Sequence, residues 1–438
     1  MNIIDHLIYI SMTIRDFYVY QIERYTFATA IMFFFPLVLF FELPRYFIPT
    51  LMIPVLKLLG VSRANTAAEE DFIKLQPSVS IIVAGRNEEK IISGTIDSLL
   101  ALNYPNKEII VIDDNSDDGM YAICKKYADR GEIRLFRNSA ASGRAGRPVA
   151  SNLGLRVATG EFIISVDADT SYDYDIIDRM LGPFYDPKVG AVAGNLKVRN
   201  LGVSFWTDCQ AIEYALSIGL WKRWTSFIGT TLQASGAFGA FRREALLDFY
   251  GWDPELAEDA DLSLKIRKCG WEIEFAPYAI AMTNVPDTLY VLARQRIRWD
   301  KGAVRTYFHK HKNIMNFKRF PFKNFFELAQ EWLMIYILPF AYVVYLVVMI
   351  IFDWQLLVFA LSMSYLLYVA MAFFALMSAI SLSERRSSEW FLLWYVPLFP
   401  FYKEIFRWVR LYANIMETFR WKYKESYIPE SGYTGEKW

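Results

Sequence analysis

Cysteine is scarce in this 438-residue chain, which holds only Cys124, Cys209 and Cys269. The three lie far apart and fit no metal-ligand spacing, which excludes a disulfide scaffold or a zinc ribbon. They read as buried apolar residues in a reducing compartment. Net charge is also missing, since 47 Lys and Arg balance 47 Asp and Glu. No global field therefore argues for nucleic acid as a partner. Internal repeats and low-complexity stretches are absent. The N-terminus lacks the charged, apolar and cleavable order of a signal peptide, so its first apolar run is expected to be retained. The segment past the last apolar run is too short for an appended regulatory domain of ordinary size.

Apolar residues, by contrast, are in excess. Hydrophobic residues make up 54% of the chain and aromatics 17%, above the roughly 45–50% apolar usage of soluble domains. Three runs approach the about 20 residues needed to cross a bilayer: Tyr25 to Phe41, Trp332 to Phe352, and Leu356 to Leu382. Two shorter pieces carry prolines and read as interfacial or re-entrant: Tyr46 to Leu59 with Pro49 and Pro54, and Trp390 to Phe401 with Pro397 and Pro400. Basic residues follow the first run (Arg45, Lys57, Arg63) and the third (Arg385, Arg386), and crowd the tail as Lys403, Arg407, Arg410, Arg420, Lys422 and Lys424. The turn Asp353-Trp354-Gln355 has none. By the positive-inside rule the N-terminus lies outside and the central region inside. The expected organisation is a membrane-anchoring segment over 1–62, a cytosolic domain over 63–325 and membrane helices with a cytosolic tail over 326–438. That places the protein as a multi-pass component of the plasma (inner) membrane, in contact with the lipid bilayer.

The central region alternates strand and helix patterns. VSIIVAGRNEE (79–89), EIIVIDDNSDDG (108–119), IRLFRN (133–138) and EFIISVDADT (161–170) contain apolar strands, and VASNLGLRVATG (149–160) reads as a helix closed by Gly. This alternation predicts an α/β domain with a parallel, doubly wound sheet. Ligands bind such sheets beyond the carboxyl ends of the strands, where Asp113-Asp114 and Asp167-Ala168-Asp169 would fall.

Each acidic cluster has a plain alternative. An isolated Asp-x-Asp is a solvated turn, but two carboxylates just past a buried strand also suit a hard cation such as Mg²⁺, completed by substrate phosphates. For Asp113 and Asp114 the plain reading is bonding to local amides, and the functional one is a carboxylate accepting a hydrogen bond from a nucleobase. In YGWDPELAEDADLSLKIRKCG (250–270) acids open and bases close a helix, as its dipole favours. Asp261 reads as structural there, while Asp259 can act as a general base on a sugar hydroxyl. In LARQRIRWDKG (292–302) helical spacing puts Gln295, Arg298 and Trp299 on one face. A planar guanidinium suits a diphosphate, and an indole suits a sugar ring; a juxtamembrane anchor is the blander reading.

The order VSIIVAGRNE, VIDDNS, VDADT, SGA (235–237), AED (257–259) and QRIRW resembles the membrane-embedded processive family 2 glycosyltransferases, which include cellulose, hyaluronan, chitin-oligosaccharide and poly-N-acetylglucosamine synthases. The resemblance covers about residues 76–305 with the flanking spans. It implies a cytosolic, Rossmann-like GT-A domain on helices that form a polymer channel. By that resemblance Asp114, with Asp113, would contact uracil, and Asp167 and Asp169 would hold the diphosphate and Mg²⁺ or Mn²⁺. Asp259, after Glu258, would be the base. Ser235 and Gly236 would line the acceptor site, and Gln295, Arg298 and Trp299 would bind the pyrophosphate and the end of the growing polysaccharide. The implied chemistry is a single displacement that turns an α-linked UDP-sugar into a β-linkage. GRAGRPVASN (143–152) departs from the family, with Arg144 and Arg147 where Lys is usual and Pro148 inserted, though a basic group still faces the phosphates. AED replaces TED. One clear span before the domain leaves room for an accessory membrane subunit or a second copy. A non-processive transferase acting on a polyprenyl phosphate or lipid, and an idle scaffold, remain as alternatives.

Overall fold

A computed structural model describes residues 3–24, 43–61, 66–138, 146–312 and 322–419. The run Tyr25 to Phe41 lies outside the described residues, as do Arg63, Arg144, Arg420, Lys422 and Lys424. The central domain is built on eight strands: β1 (Val79–Gly85), β2 (Lys107–Asp113), β3 (Arg134–Arg137), β4 (Phe162–Asp167), β5 (Thr170–Tyr172), β6 (Val189–Val198), β7 (Phe238–Arg242) and β8 (Glu272–Thr283). Their order in the sheet is β3-β2-β1-β4-β7-β6-β8-β5.

The apolar runs of β1, β2 and β4 are continuous because helices cover both faces of the sheet. Ile81, Val83, Val111, Ile164 and Val166 enter one core, while Ile82, Ile110, Ile112 and Ile163 enter the other. The alternation of successive side chains between faces thus splits each strand between two cores. Register then sets the chemistry, with Gly85 beside Asp113 and Ala84 beside Asp167. The ends of β1, β2 and β4 meet at one edge, and both acid clusters with them.

The sheet is mixed, which corrects the parallel expectation. β3, β2, β1 and β4 are parallel, but β7 runs against both β4 and β6. The chain reaches β7 through residues 230–237, at the very edge where Asp167 lies; the Asp167 amide donates to the Ala237 carbonyl at 3.3 Å. A strand that begins at that edge can only run back, so it pairs antiparallel. β6 and β8 are parallel, and β5 returns against β8.

Among the described residues one helical run, Leu328–Leu382, is long and apolar enough to cross a membrane by length and composition. It breaks at Asp353, the backbone of which leaves the helical region (φ −162°, ψ 91°). The Asp353 carboxylate accepts the Leu356 amide at 3.0 Å as an N-cap would, and pairs with Arg24 at 3.1 Å. The expected turn is thus a one-residue break. Leu43–Leu58 is a helix despite its two prolines. Trp390–Leu398 is a 3₁₀ stretch that runs into a longer helix, Phe399–Thr418, where the sequence had suggested an interfacial piece and a tail. Its spacing explains it: Tyr402, Ala413, Asn414 and Glu417 are buried, while Phe401, Trp408 and Tyr412 are exposed.

Phe162 is fully buried and packs on Phe184 with ring centroids 4.7 Å apart. Phe162→Ala should destabilise the domain by about 3–5 kcal/mol through the cavity it leaves, measured as the urea midpoint of the whole protein in detergent.

Candidate active site

Arg147 lies at the start of the helix Arg147–Val157 and reaches three separate segments. One guanidinium nitrogen pairs with Asp167 at 2.6 Å, and another with Glu258 at 3.0 Å. It also donates to the Gly236 carbonyl. Although burial alone would lower its pKa, Asp167 and Glu258 hold the guanidinium charge more firmly than usual. Gly236 suits this crowding, since a Cβ there would lie 3.0 Å from both the Arg147 guanidinium and the Asp259 Cβ and one of them would have to give way.

Asp259 opens the helix Glu258–Lys268. Its Oδ2 accepts from Gln233 Nε2 at 2.8 Å and from the Gly236 amide at 3.2 Å. Two donors on one oxygen fix the carboxylate's orientation. Burial, with help from Asp259, raises the Glu258 pKa against the pull of Arg147. Asp261, two residues on, faces the opposite way into a basic nest of His311 (2.7 Å), Lys310 (2.8 Å) and Lys265 (3.5 Å). These partners overcome burial and bring its carboxyl down to about 2. Ser235 accepts from Lys222 Nζ at 2.7 Å.

The turn after β4 is held from behind by Arg199, which donates to the Asp169 carbonyl at 3.2 Å, to Ser171 at 2.8 Å and to the Met282 carbonyl at 2.6 Å. Burial, then the adjacent Asp167, raises the Asp169 carboxyl above its ordinary value. Among the described residues no group of three His, Cys, Asp or Glu side chains is placed to hold a metal. The pair Asp167 and Asp169 is a set of hard oxygen donors for a cation that takes its other ligands from phosphates.

Asp113 and Asp114 both make local contacts at this edge. Asp113 is fully buried, pairs with Arg137 at 3.0 Å and accepts the Ser116 amide at 3.2 Å. Asp114 accepts the Gly146 amide and the Asn138 side chain, each at 3.0 Å. Both acids therefore brace the loops at this edge, and a base here would have to share Asp114 with the Gly146 amide.

The helix Leu289–Val304 carries Gln295, Arg298 and Trp299. The guanidinium of Arg296 lies over the indole of Trp299, 4.7 Å from the ring centroid. Arg296 is held there by a bidentate pair with Glu213 at 2.7 and 3.1 Å, and Tyr402 donates to the same carboxylate at 2.8 Å. Gln295 Oε1 is buried with no hydrogen-bond partner. Gly302 brings the helix onto the acidic motif, because a Cβ there would lie 2.8 Å from Ala257 Cβ and 2.9 Å from its amide nitrogen. Tyr214 links the two halves: burial pushes its phenol up to about 12, with Arg296 opposing and Glu213, Asp169 and Asp167 reinforcing.

Sequence reasoning missed Glu88, Gln233, Tyr214 and Arg296. Arg296 stood inside the quoted motif, and Gln233 two residues before SGA. Glu88 stood in GRNEE, just past β1. It is half-buried, and burial, then Asp169, Asp118 and Asp167, brings its carboxyl to about 7.

The architecture matches that of the mannosyltransferase PcManGT from Pyrobaculum calidifontis, solved in complex with GDP-Man and Mn²⁺, with a TM-score of 0.57 over 87% of this chain and 97% of that one at 21% identity. The fold is thus a GT-A-like glycosyltransferase domain joined to apolar helices. The sequence places it more narrowly: the chain belongs to glycosyltransferase like family 2, which matches residues 77–302. It is 34% identical over 245 residues to the poly-beta-1,6-N-acetyl-D-glucosamine synthase of Staphylococcus aureus (strain COL), covering 56% of this chain and 58% of that one. It is 36% identical over 227 residues to the synthase of the same name from Staphylococcus epidermidis, covering 51% and 54%. The match spans little more than half the length of these curated relatives.

Glu88 adds stability only while protonated, below its unfolded value of 4.5, and that contribution is lost as pH rises through about 7. Glu88→Gln should therefore stabilise the metal-free protein by about 1 kcal/mol at pH 8, discounted for solvent exposure. The gain should fade toward pH 4. Thermal unfolding with a chelator at both pH values checks this, and a pH-independent gain would contradict it.

Proposed function

We propose that the chain is a processive, inverting glycosyltransferase that lengthens a β-linked polysaccharide from a UDP-activated sugar. The names of the relatives support N-acetylglucosamine as the sugar and a β-1,6 bond as the linkage. The observation that carries this reading is the meeting of Asp167, Glu258 and Gly236 on one guanidinium, beside an orientated Asp259.

In this reading the uracil lies at the β2 edge near Asp114, and the diphosphate lies at Asp167 and Asp169. The raised Asp169 carboxyl marks a charge crowding that Mg²⁺ or Mn²⁺ would relieve. When bound, that ion supplies charge neutralisation to the departing diphosphate. Arg147, relieved of Asp167, turns its planar fork to the phosphates, as Arg298 does from the other side. Asp259, steadied by Gln233 and the Gly236 amide, takes the proton of the acceptor hydroxyl as its oxygen attacks the anomeric carbon. Attack opposite the leaving nucleotide inverts the centre. The acceptor sugar stacks on Trp299, and the unpaired Gln295 oxygen accepts one of its hydroxyls. Ser235 and Gly236 border the same space. The domain faces the cytosol, and the polymer leaves past the apolar helices, in a channel that an accessory membrane subunit or a second copy completes.

Membranes given radiolabelled UDP-N-acetylglucosamine with Mg²⁺ or Mn²⁺ should yield high-molecular-weight product; a lone monosaccharide-lipid would rule out processivity. Asp259→Asn should lower synthesis roughly 10²–10⁴-fold at equal protein level, and unchanged product would point to an idle scaffold. Trp299→Ala should reduce polymer while UDP affinity, measured by calorimetry, stays close to wild type. Equal losses in both would contradict acceptor stacking.

A further inference from the structure

A cavity of about 570 Å³ lies between the transferase domain and the apolar helices. It is remote from the site above. Its wall includes Val189, at the start of β6, and Glu274 to Tyr278, in the first half of β8, whereas Thr283, at the end of β8, pairs with Thr170 beside Asp169. The apolar wall comes from Ile53, Leu56 and Leu382, that is, from the Leu43–Leu58 helix and the end of the membrane-length helix. The polar wall is built around Tyr278, with the guanidinium of Arg223 5.1 Å and that of Arg179 5.9 Å from its ring centroid.

These two cations differ in what neutralises them. Arg179 pairs with Asp175 at 2.6 Å and Glu384 at 3.1 Å. Arg223 has a buried Nε without a hydrogen-bond partner; it donates to the Leu382 carbonyl at 3.5 Å, and against the effect of burial Tyr278 and, through its charge, Glu384 favour its cationic form. Among the described residues no carboxylate forms an ion pair with it. The wall also carries Lys57, Glu69, Asp186 and Glu274; Glu274 accepts from Ser226 at 2.5 Å and Asp186 from the Lys188 amide at 2.9 Å, and burial raises the Glu69 carboxyl above its ordinary value. A partly buried guanidinium with an unsatisfied donor suits an anion, and its planar fork fits phosphate. The neighbouring helix exposes Phe47, Ile48, Leu51 and Met52, a face that suits the headgroup and acyl boundary.

We propose that this cavity binds a phosphate-bearing anionic amphiphile, with its phosphate on Arg223 beside Tyr278 and its chain against Ile53, Leu56 and Leu382. The phosphate chemistry is common to a lipid headgroup and to free phosphate, and the two are separable. Full-length protein in neutral detergent is melted alone, with phosphatidylglycerol, with phosphatidylcholine, and with inorganic phosphate. Phosphatidylglycerol should raise the midpoint by about 2–4 °C, and phosphatidylcholine should not. Arg223→Gln should abolish the rise and Arg223→Lys should retain only part of it. Leu56→Asn, on a half-exposed position, should weaken the phosphatidylglycerol effect. A rise of equal size with inorganic phosphate would overturn the lipid assignment in favour of a soluble phosphate. No rise with either, or a rise that persists in Arg223→Gln, would overturn the site.

Discussion

One guanidinium holds the candidate active site together. Arg147 joins the turn after β4, the loop before β7 and the start of the Glu258–Lys268 helix. Each of those segments carries acidic or close-packed groups that would repel or collapse without a cation between them. A half-buried guanidinium between two carboxylates is held in place by both. The arrangement is therefore poised, because anything that neutralises Asp167 frees the guanidinium for a new anion.

Around this centre, charge pairs connect the site to the apolar helices. The Leu289–Val304 helix is tied to the Phe399–Thr418 helix by Asp300 and Arg410 at 3.0 Å, and through Glu213 by Tyr402. Arg305, just past the same helix, pairs with Glu417 at 2.9 Å. Such pairs add little when exposed, but Glu213, Asp300 and Glu417 are largely enclosed, so they set position more than stability. The face of the Phe399–Thr418 helix that exposes Phe401, Trp408 and Tyr412 is thus mechanically joined to the residues that would meet the acceptor.

Much of the fold was legible in the residues. The buried strands β1, β2 and β4 announced themselves as apolar runs that end in acids, and parallel register then forced those acids to one edge. The direction of β7 was not legible, because FGAFR carries no mark of which edge the chain enters from. The Phe399–Thr418 helix was not legible, because Pro397 and Pro400 interrupt the pattern just where its three-and-four spacing begins. At the site, Asp167, Asp259 and Gly236 were visible as motif members. That Asp113 would be enclosed by Arg137 and its own turn was not, because burial depends on β3, which lies some twenty residues on. The contact between Arg296 and Trp299 was not legible for a similar reason. Spacing along a helix shows which side chains share a face, but the Glu213 carboxylate, from a distant segment, draws Arg296 over the ring.

The order of amino acids alone dictated the local elements, the residue types available for chemistry and the apolar excess, because these follow from periodicity and composition within short windows. Which guanidinium meets which carboxylate, which acid is enclosed and which faces the cleft were settled only by folding. Those outcomes depend on long-range packing that brings Arg147, Asp167 and Glu258, from three distant segments, within a few ångströms, and no local pattern carries that distance.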